Sequence, residues 1–578
     1  MYGPVPPRPK KTGIVRSRNG CKGCRERRTK CDEQKPSCGT CTRLRKPCEP
    51  VRRGFKFCEV IGPTGPTPGD NPARLGDQTS TPATSEDSNP LSIDIVQIPD
   101  LDLVHSLQHT ERDVFYSTYW EDACLPALHP MFGSISFAAG EQSMLRDAIL
   151  ALSSCNISRI KPDRRGPSSL PVAAFSPNLV HQTRSQLYYS SAIKRFISLS
   201  RSDIRSNAAA VFTVLVLFAY IESSMGNFQG FQCHVQGLTN FLLELREVVG
   251  EAMLKALLSA WMQVRFVVWW ARAYFSSINV YRDLPSVKLP ALLAENLNTI
   301  QERRVVVLSI MCESHRLNSR EALSHWRPDT SDSESAVRSH QSGASKTADT
   351  TLLQLAEQAN NLDKWLACLP PSELPFPLCS QQSNSSQRVL DNTDDPIYFE
   401  SHNAALNFAY YVVARIMQCT RSLRELEYPN VFHSGPRLSE EEAWVRFLLR
   451  IAKGTNITDS ISKNSYTIGF SGLMLAAMLR CQNRSLGIEI QNWLEALKRL
   501  QPTEEGAFPV YQTLGVVKAV NQQKTMGREI FGVTLPSDDA GGTPKFTAYN
   551  SQTISTLLFH GRCQSSGGLF TDCISIDL

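Results

Sequence analysis

The sequence predicts a small metal-organised domain and a large all-α domain, joined by a disordered linker. Three observations carry this. Six cysteines stand at 21, 24, 31, 38, 41 and 48 inside a basic N-terminal stretch. Residues 62–90 are rich in Pro, Gly, Thr, Ser and Asp, a composition that cannot bury enough apolar surface to order itself. From Thr110 onward apolar residues recur at helical spacing, with no strand-rich region and no fixed repeat.

Cys21, Cys24 and Cys31 form C-x2-C-x6-C, and Cys38, Cys41 and Cys48 repeat it. A two-residue gap lets two thiolates reach one tetrahedral zinc at about 2.3 Å. Six sulfurs cannot give two separate ions four ligands each, so a pair of ions needs two bridging cysteines. Six thiolates and two Zn²⁺ leave about −2 on the cluster. Lys22, Arg25, Arg27, Arg28, Lys30 and Lys35 offset that charge and favour thiolate over thiol. A disulfide framework competes, but it needs a secreted chain, and Met1 to Lys11 holds no apolar run like a signal peptide. A redox pair explains one C-x2-C, not two in register with third ligands.

Charge is unevenly spread. Residues 8–56 hold 17 Lys/Arg and 4 Asp/Glu; with an overall charge of +6, the remainder carries −7. A basic head on an acidic body fits a nucleic-acid module joined to a protein-interaction module. The other eleven cysteines show no second metal spacing and read as small buried hydrophobes in a reducing compartment. The longest apolar run, Ala208 to Ile221, spans 14 residues with Thr213 inside. It reads as a buried helix, so the chain is expected to be soluble and intracellular, with no membrane partner.

Residues 18–50 resemble the fungal Gal4-type binuclear zinc cluster: the spacing, the basic run after Cys24 and Pro36 between the halves all agree. The resemblance implies two Zn²⁺ ions held by Cys21, Cys24, Cys31, Cys38, Cys41 and Cys48, with Cys21 and Cys38 bridging. It also implies two short helices, the first directed into the major groove at a CGG-like triplet. The usual base reader falls at Arg28, with Arg27 beside it. A guanidinium can bond O6 and N7 of guanine through two parallel hydrogen bonds, worth about 1–3 kcal/mol of discrimination. Arg25, Lys30, Arg43, Arg45 and Lys46 suit phosphate contacts, which position without specifying.

Taken in order, residues 1–17 are a basic disordered arm, 18–50 the zinc cluster and 51–104 the flexible linker. Leu91, Ile93, Ile95, Ile98, Leu101 and Leu103 come nearer to alternation than to a heptad, and Pro99 interrupts them. The coiled coil that many relatives place here is therefore not expected, which leaves paired half-site recognition without support. Residues 105–530 form the all-helical domain. Thr110 to Asp113 suits an N-cap before Val114, Phe115, Thr118 and Tyr119. Leu145, Ala148, Ile149 and Leu152 mark the next helix, Val211 to Tyr220 a central one, and Met253 to Phe275 one carrying Trp261, Trp269 and Trp270. Ala405, Phe408, Ala409, Val412, Val413 and Ile416 give the cleanest stripe. Disordered loops are expected near 328–350 and 381–396, and residues 531–578 read as an irregular tail. Leu145 to Leu152, Tyr188 to Phe196 and Asn361 to Pro371 together resemble the fungal-specific transcription factor domain, an all-helical regulatory domain.

No catalytic residue is expected. Dinucleotide, P-loop and zinc-protease motifs are absent. Gly469-Phe-Ser471-Gly falls one residue short of a nucleophile elbow, and His129 and His234 read as structural. The expected protein is a nuclear transcription factor, not an enzyme. It binds double-stranded DNA, engages the transcription machinery or co-regulators, and controls a metabolic or secondary-metabolite gene cluster in a fungus by association with the family. A homodimer through the helical domain stays open. The alternative is a DNA-bound repressor or scaffold without activation function.

Overall fold

The computed structural model describes residues 21–48 and 109–576, each with breaks, the longest at 161–176, 327–336, 377–393, 427–439 and 537–555. The arm 1–17, the linker 51–104 and residues 381–393 of the expected second loop lie outside the described residues. Two units separate, Met1–Gln97 and Ile98–Leu578.

The larger unit is built around the helix Ala208–Met225, whose residues Val211 to Ile221 are buried on every side. By length and apolar composition this helix could cross a bilayer, but 78% of it is buried inside the protein. Against it lie Ser143–Ile160, Phe228–Val248 and the tryptophan helix Glu251–Tyr274. Trp261 and Trp270 are wholly enclosed; Phe231 lies tilted against Trp261 and Tyr274 against Trp270, and Phe508 meets Tyr274 edge-on. Ile300–Leu323 and His402–Gln418 form a second packed pair, continued by Glu440–Gly454, Phe470–Met478, Arg484–Arg499 and Val510–Thr525. The apolar stripe of His402–Gln418 faces this core, with Phe408, Ala409, Val412, Val413 and Ile416 all buried.

Local sequence starts these helices. The Asn178 side chain accepts the Val180 and His181 amides, and Asn483 accepts those of Ser485 and Leu486. Thr299 with Glu302, and Ser200 with Asp203, close reciprocal capping boxes. Phe470–Met478 starts differently. The buried Glu505 carboxylate accepts the Phe470 and Ser471 amides at 3.0 and 2.7 Å and the Asn464 Nδ2 at 2.6 Å. Glycine at 469 leaves room for it, since a Cβ there would lie 2.4 Å from either carboxylate oxygen.

The C-terminal stretch corrects the expectation of an irregular tail at 531–578 and of a purely helical body. Strands Arg528–Thr534, Thr556–Cys563 and Leu569–Ser575 form an antiparallel sheet in that order, with a bulge between Ile530 and Gly532. Ile530, Phe531, Val533, Leu557 and Phe559 join the main core. Trp326 Nε1 donates to the Phe570 carbonyl at 2.8 Å and the Leu535 amide to that of Ser276 at 2.9 Å. Strands this short carry weak periodicity, and their partners are set by non-local pairing.

Three smaller corrections follow. Helix Val337–Ala367 takes in the latter part of the stretch 328–350, expected to be a loop; residues 327–336 lie outside the described residues. In His109–Tyr119 the buried positions are Asp113 and Tyr116, while Val114 is exposed. Cys124, Cys155, Cys312, Cys419 and Cys481 are buried as expected, but Cys233, Cys368 and Cys573 are exposed.

Phe559→Ala tests whether the sheet belongs to the core. Emptying that fully buried site is expected to cost about 3–5 kcal/mol, read as a lower urea midpoint of the whole unit. An unchanged midpoint would place the sheet outside the cooperative core.

Candidate metal centre and nucleic-acid interface

The cysteine spacing brings six sulfurs together. Cys21, Cys24, Cys31, Cys38 and Cys41 are buried, and Cys48 is half-buried. Their sulfurs fall into two sets of four: Cys21, Cys24, Cys31 and Cys38, and Cys21, Cys38, Cys41 and Cys48. Within each set all sulfurs lie within 4.8 Å of one another, and the two sets share Cys21 and Cys38.

The separations fit zinc. A metal–sulfur bond of about 2.3 Å gives a tetrahedron with an edge of about 3.8 Å. The shared pair Cys21–Cys38 stands at 3.7 Å, Cys21–Cys41 at 3.5 Å and Cys24–Cys38 at 3.6 Å. Six thiols in a shell this tight cannot all ionise without a cation. The Cys24 amide, bonded to Cys21, holds that thiol below its ordinary value. Cys38 is raised despite the Cys41 amide that bonds it, because burial and the sulfurs of Cys41, Cys24 and Cys21 oppose a second charge. Two divalent ions would remove that conflict.

Backbone bonds hold the shell in shape. The Cys41 amide donates to Cys38 Sγ at 3.4 Å, and the Cys38 amide to Cys48 Sγ at 3.3 Å. Cys38 is the N-cap of the short helix Gly39–Arg43. Asp32 adds its carboxylate to the Gly39 amide at 2.9 and 3.1 Å. A Cβ at Gly39 would meet Asp32 Oδ2 at 2.6 Å, so glycine is what lets that carboxylate close on the helix. Sequence reading missed Asp32; its signal was an acid seven residues before a glycine that follows a ligand cysteine.

Around this shell Lys22, Arg43 and Lys46 are exposed, Arg43 at the end of the helix. Arg25, Arg27, Arg28, Lys30 and Arg45 lie outside the described residues, as does the course of the chain between Cys24 and Thr29. Lys22 and Cys24 are helical, and of the two expected helices only Gly39–Arg43 is described throughout.

The other candidates from sequence resolve as structure. Ser471 is buried in the helix Phe470–Met478, its amide on Glu505. Burial takes His129 down to about 3, and its Nδ1 accepts the Met131 amide. His234 bonds the Tyr189 hydroxyl at 2.8 Å.

Comparison with known proteins agrees with this geometry. Residues 19–56 match the fungal Zn(2)-Cys(6) binuclear cluster domain. The sterol uptake control protein 2 of Candida albicans is 61% identical over 33 residues, 6% of this chain and 5% of that protein. The aspercryptin biosynthesis cluster-specific transcription regulator atnN of Emericella nidulans is 26% identical over 235 residues, 38% of this chain and 33% of its own. The transcriptional regulatory protein moc3 of Schizosaccharomyces pombe is 40% identical over 69 residues, 11% of this chain and 13% of its own. The chain thus spans a third or less of the length of these relatives. No solved structure is significantly similar to it.

Shared sulfur makes the two halves interdependent. Cys38→Ala breaks both four-sulfur sets and is expected to release both ions, whereas Cys48→Ala breaks one set and should keep about one ion per chain. Elemental analysis of the purified protein reads the count. One tightly held zinc surviving in Cys38→Ala would show that Cys38 is not shared.

Proposed function

We propose that the chain is a nuclear, sequence-specific DNA-binding regulator of RNA polymerase II transcription, whose zinc cluster reads a CGG-like triplet. The observation that carries this is the pair of four-sulfur sets sharing Cys21 and Cys38, in a segment whose exposed residues include Lys22, Arg43 and Lys46. Cys21, Cys24, Cys31, Cys38, Cys41 and Cys48 hold two zinc ions. The ions supply rigidity: bound, they replace the missing hydrophobic core of a domain too small to fold on its own.

Arg28 is the base reader in this proposal, with Arg27 beside it, because a guanidinium matches the O6 and N7 acceptors of guanine. Arg25, Lys30, Arg43, Arg45 and Lys46 bind phosphates and set the register. The zinc has no catalytic part in this reading: a metal surrounded by four sulfurs leaves no open position for water or substrate.

The helical unit Ile98–Leu578 receives signals, co-regulators or a second copy of the chain. The likeness to atnN, over more residues than the cluster contains, supports control of a secondary-metabolite gene cluster in a fungus. A DNA-bound repressor or scaffold that lacks activation function is the alternative reading. Tethering residues 105–578 to a foreign DNA-binding module in a reporter strain separates the two by the sign of the response.

Arg28→Ala is expected to relax the preference for one guanine by about 1–3 kcal/mol while leaving non-specific binding nearly intact. Competition binding on random and CGG-bearing duplexes at two salt concentrations measures both. An equal loss on every sequence, with a shallower salt slope, would assign Arg28 to phosphate instead.

A further inference from the structure

The sheet at the C-terminus ends on a strand with one side bare. Leu569–Ser575 pairs with Thr556–Cys563 and with no other strand among the described residues. Which of its groups face outward follows from the ladder. The Gln564 amide donates to the Gly527 carbonyl, on the side of Arg528–Thr534, and the Cys563 amide donates to the Gly568 carbonyl on the other side. Backbone groups alternate in direction along a strand. Cys563, Gly561 and Phe559 therefore turn towards the last strand, where they meet Gly568, Phe570 and Asp572. The amides and carbonyls of Leu569, Thr571 and Cys573 point away from the sheet.

Edge strands are commonly blocked by charge, by proline or by a covering element. Little of that protection stands here. No residue from Leu569 to Ser575 is proline, and Asp572 is the one charged residue among them. Arg528 draws that carboxylate back across the sheet. Phe570 also leans inward: its ring lies over Gly561, where any Cβ would collide with it. The Arg528 guanidinium stacks on that ring, 3.6 Å from its centroid. Trp326 bonds the Phe570 carbonyl, which belongs to the inner side of the ladder. The bulky and charged groups are thus gathered over their own sheet. The outward positions are left small or apolar: Leu569 is 45% exposed, and Thr571 and Cys573 are exposed.

The partner that fits this edge is a second copy of it. Set antiparallel about a two-fold axis at Thr571, the second copy places the partner's Thr571 opposite Thr571 and the partner's Cys573 opposite Leu569. No like charges face each other in that register, and threonine pairs and apolar pairs both favour cross-strand contact. Moving the axis one residue, to Asp572, sets two carboxylates face to face, which is destabilising. Charge therefore selects the register, and the contact is self-complementary, as a two-fold interface must be.

We propose that the chain self-associates through this edge, two copies joining their C-terminal sheets into one continuous antiparallel sheet across Leu569 to Cys573. An edge of this length buries less than the about 1,600 Å² of a standard interface, so the dimer is weak and concentration-dependent. It gives the second copy a defined place on the helical unit and needs no DNA, so its failure leaves the transcriptional reading standing.

Sedimentation of the zinc-loaded full chain without DNA tests it. The sedimentation coefficient is expected to rise with concentration from monomer towards dimer. Cys573→Pro removes an outward amide and no bond of the ladder. It should weaken association at least about tenfold and leave the thermal midpoint unchanged. Thr571→Cys, made together with Cys573→Ser, sets two thiols opposite each other at a Cα separation of about 5.5 Å, which a disulfide spans. Mild oxidation should cross-link that variant, and Cys573→Ser alone should stay uncross-linked. A monomer at every concentration, as when another stretch of the chain or a different protein covers this edge, would overturn the proposal. So would association that survives Cys573→Pro, or no cross-link through position 571. If Cys573→Pro lowers the midpoint, the wild-type sedimentation and the cross-link decide.

Discussion

Six sulfurs crowded into two overlapping tetrahedra cannot all carry charge unless cations sit among them. Every described feature of the N-terminal unit depends on that electrostatic conflict. Among the described residues of the segment, the buried ones are the cysteines themselves. Without metal, the 3.7 Å approach of Cys21 to Cys38 brings like charges together or traps protons. With metal the same approach becomes the shared edge of two sites. The helix Gly39–Arg43 hangs on this arrangement, since its N-cap is one of the shared sulfurs and its first amide is held by Asp32. Folding of the cluster and presentation of its basic residues are therefore one event, coupled to metal binding.

The helical unit obeys a different economy. It is large enough to bury a continuous core, and it can enclose polar groups provided they meet partners. Glu505 shows the rule kept: a buried carboxylate satisfied by two helix amides and an asparagine. Arg303 and Arg480 show it kept for cations.

The parts that could be read in the sequence were those with local signatures. Cysteine spacing gave the two sulfur sets, because a C-x2-C pair fixes geometry within one turn of chain. Helical periodicity gave the long helices, from the buried run at Val211 to Tyr220 through the stripe Ala405 to Ile416. What stayed hidden was non-local. The sheet Arg528–Ser575 pairs strands across a gap of more than twenty residues, and Leu569–Ser575 is largely exposed, so it carries no clear alternation. The Glu505 cap joins residues thirty-five apart, and Arg304 meets asparagines about a hundred positions away. Asp32 lay closer, but its role needed the Gly39 backbone to be placed first.

X-ray absorption at the zinc edge of the purified full chain tests the sharing of sulfur most directly. A shell made only of sulfur at about 2.3 Å, together with a near-neighbour metal scattering path, is the result this account predicts. A shell containing nitrogen or oxygen, with no metal neighbour, would contradict it.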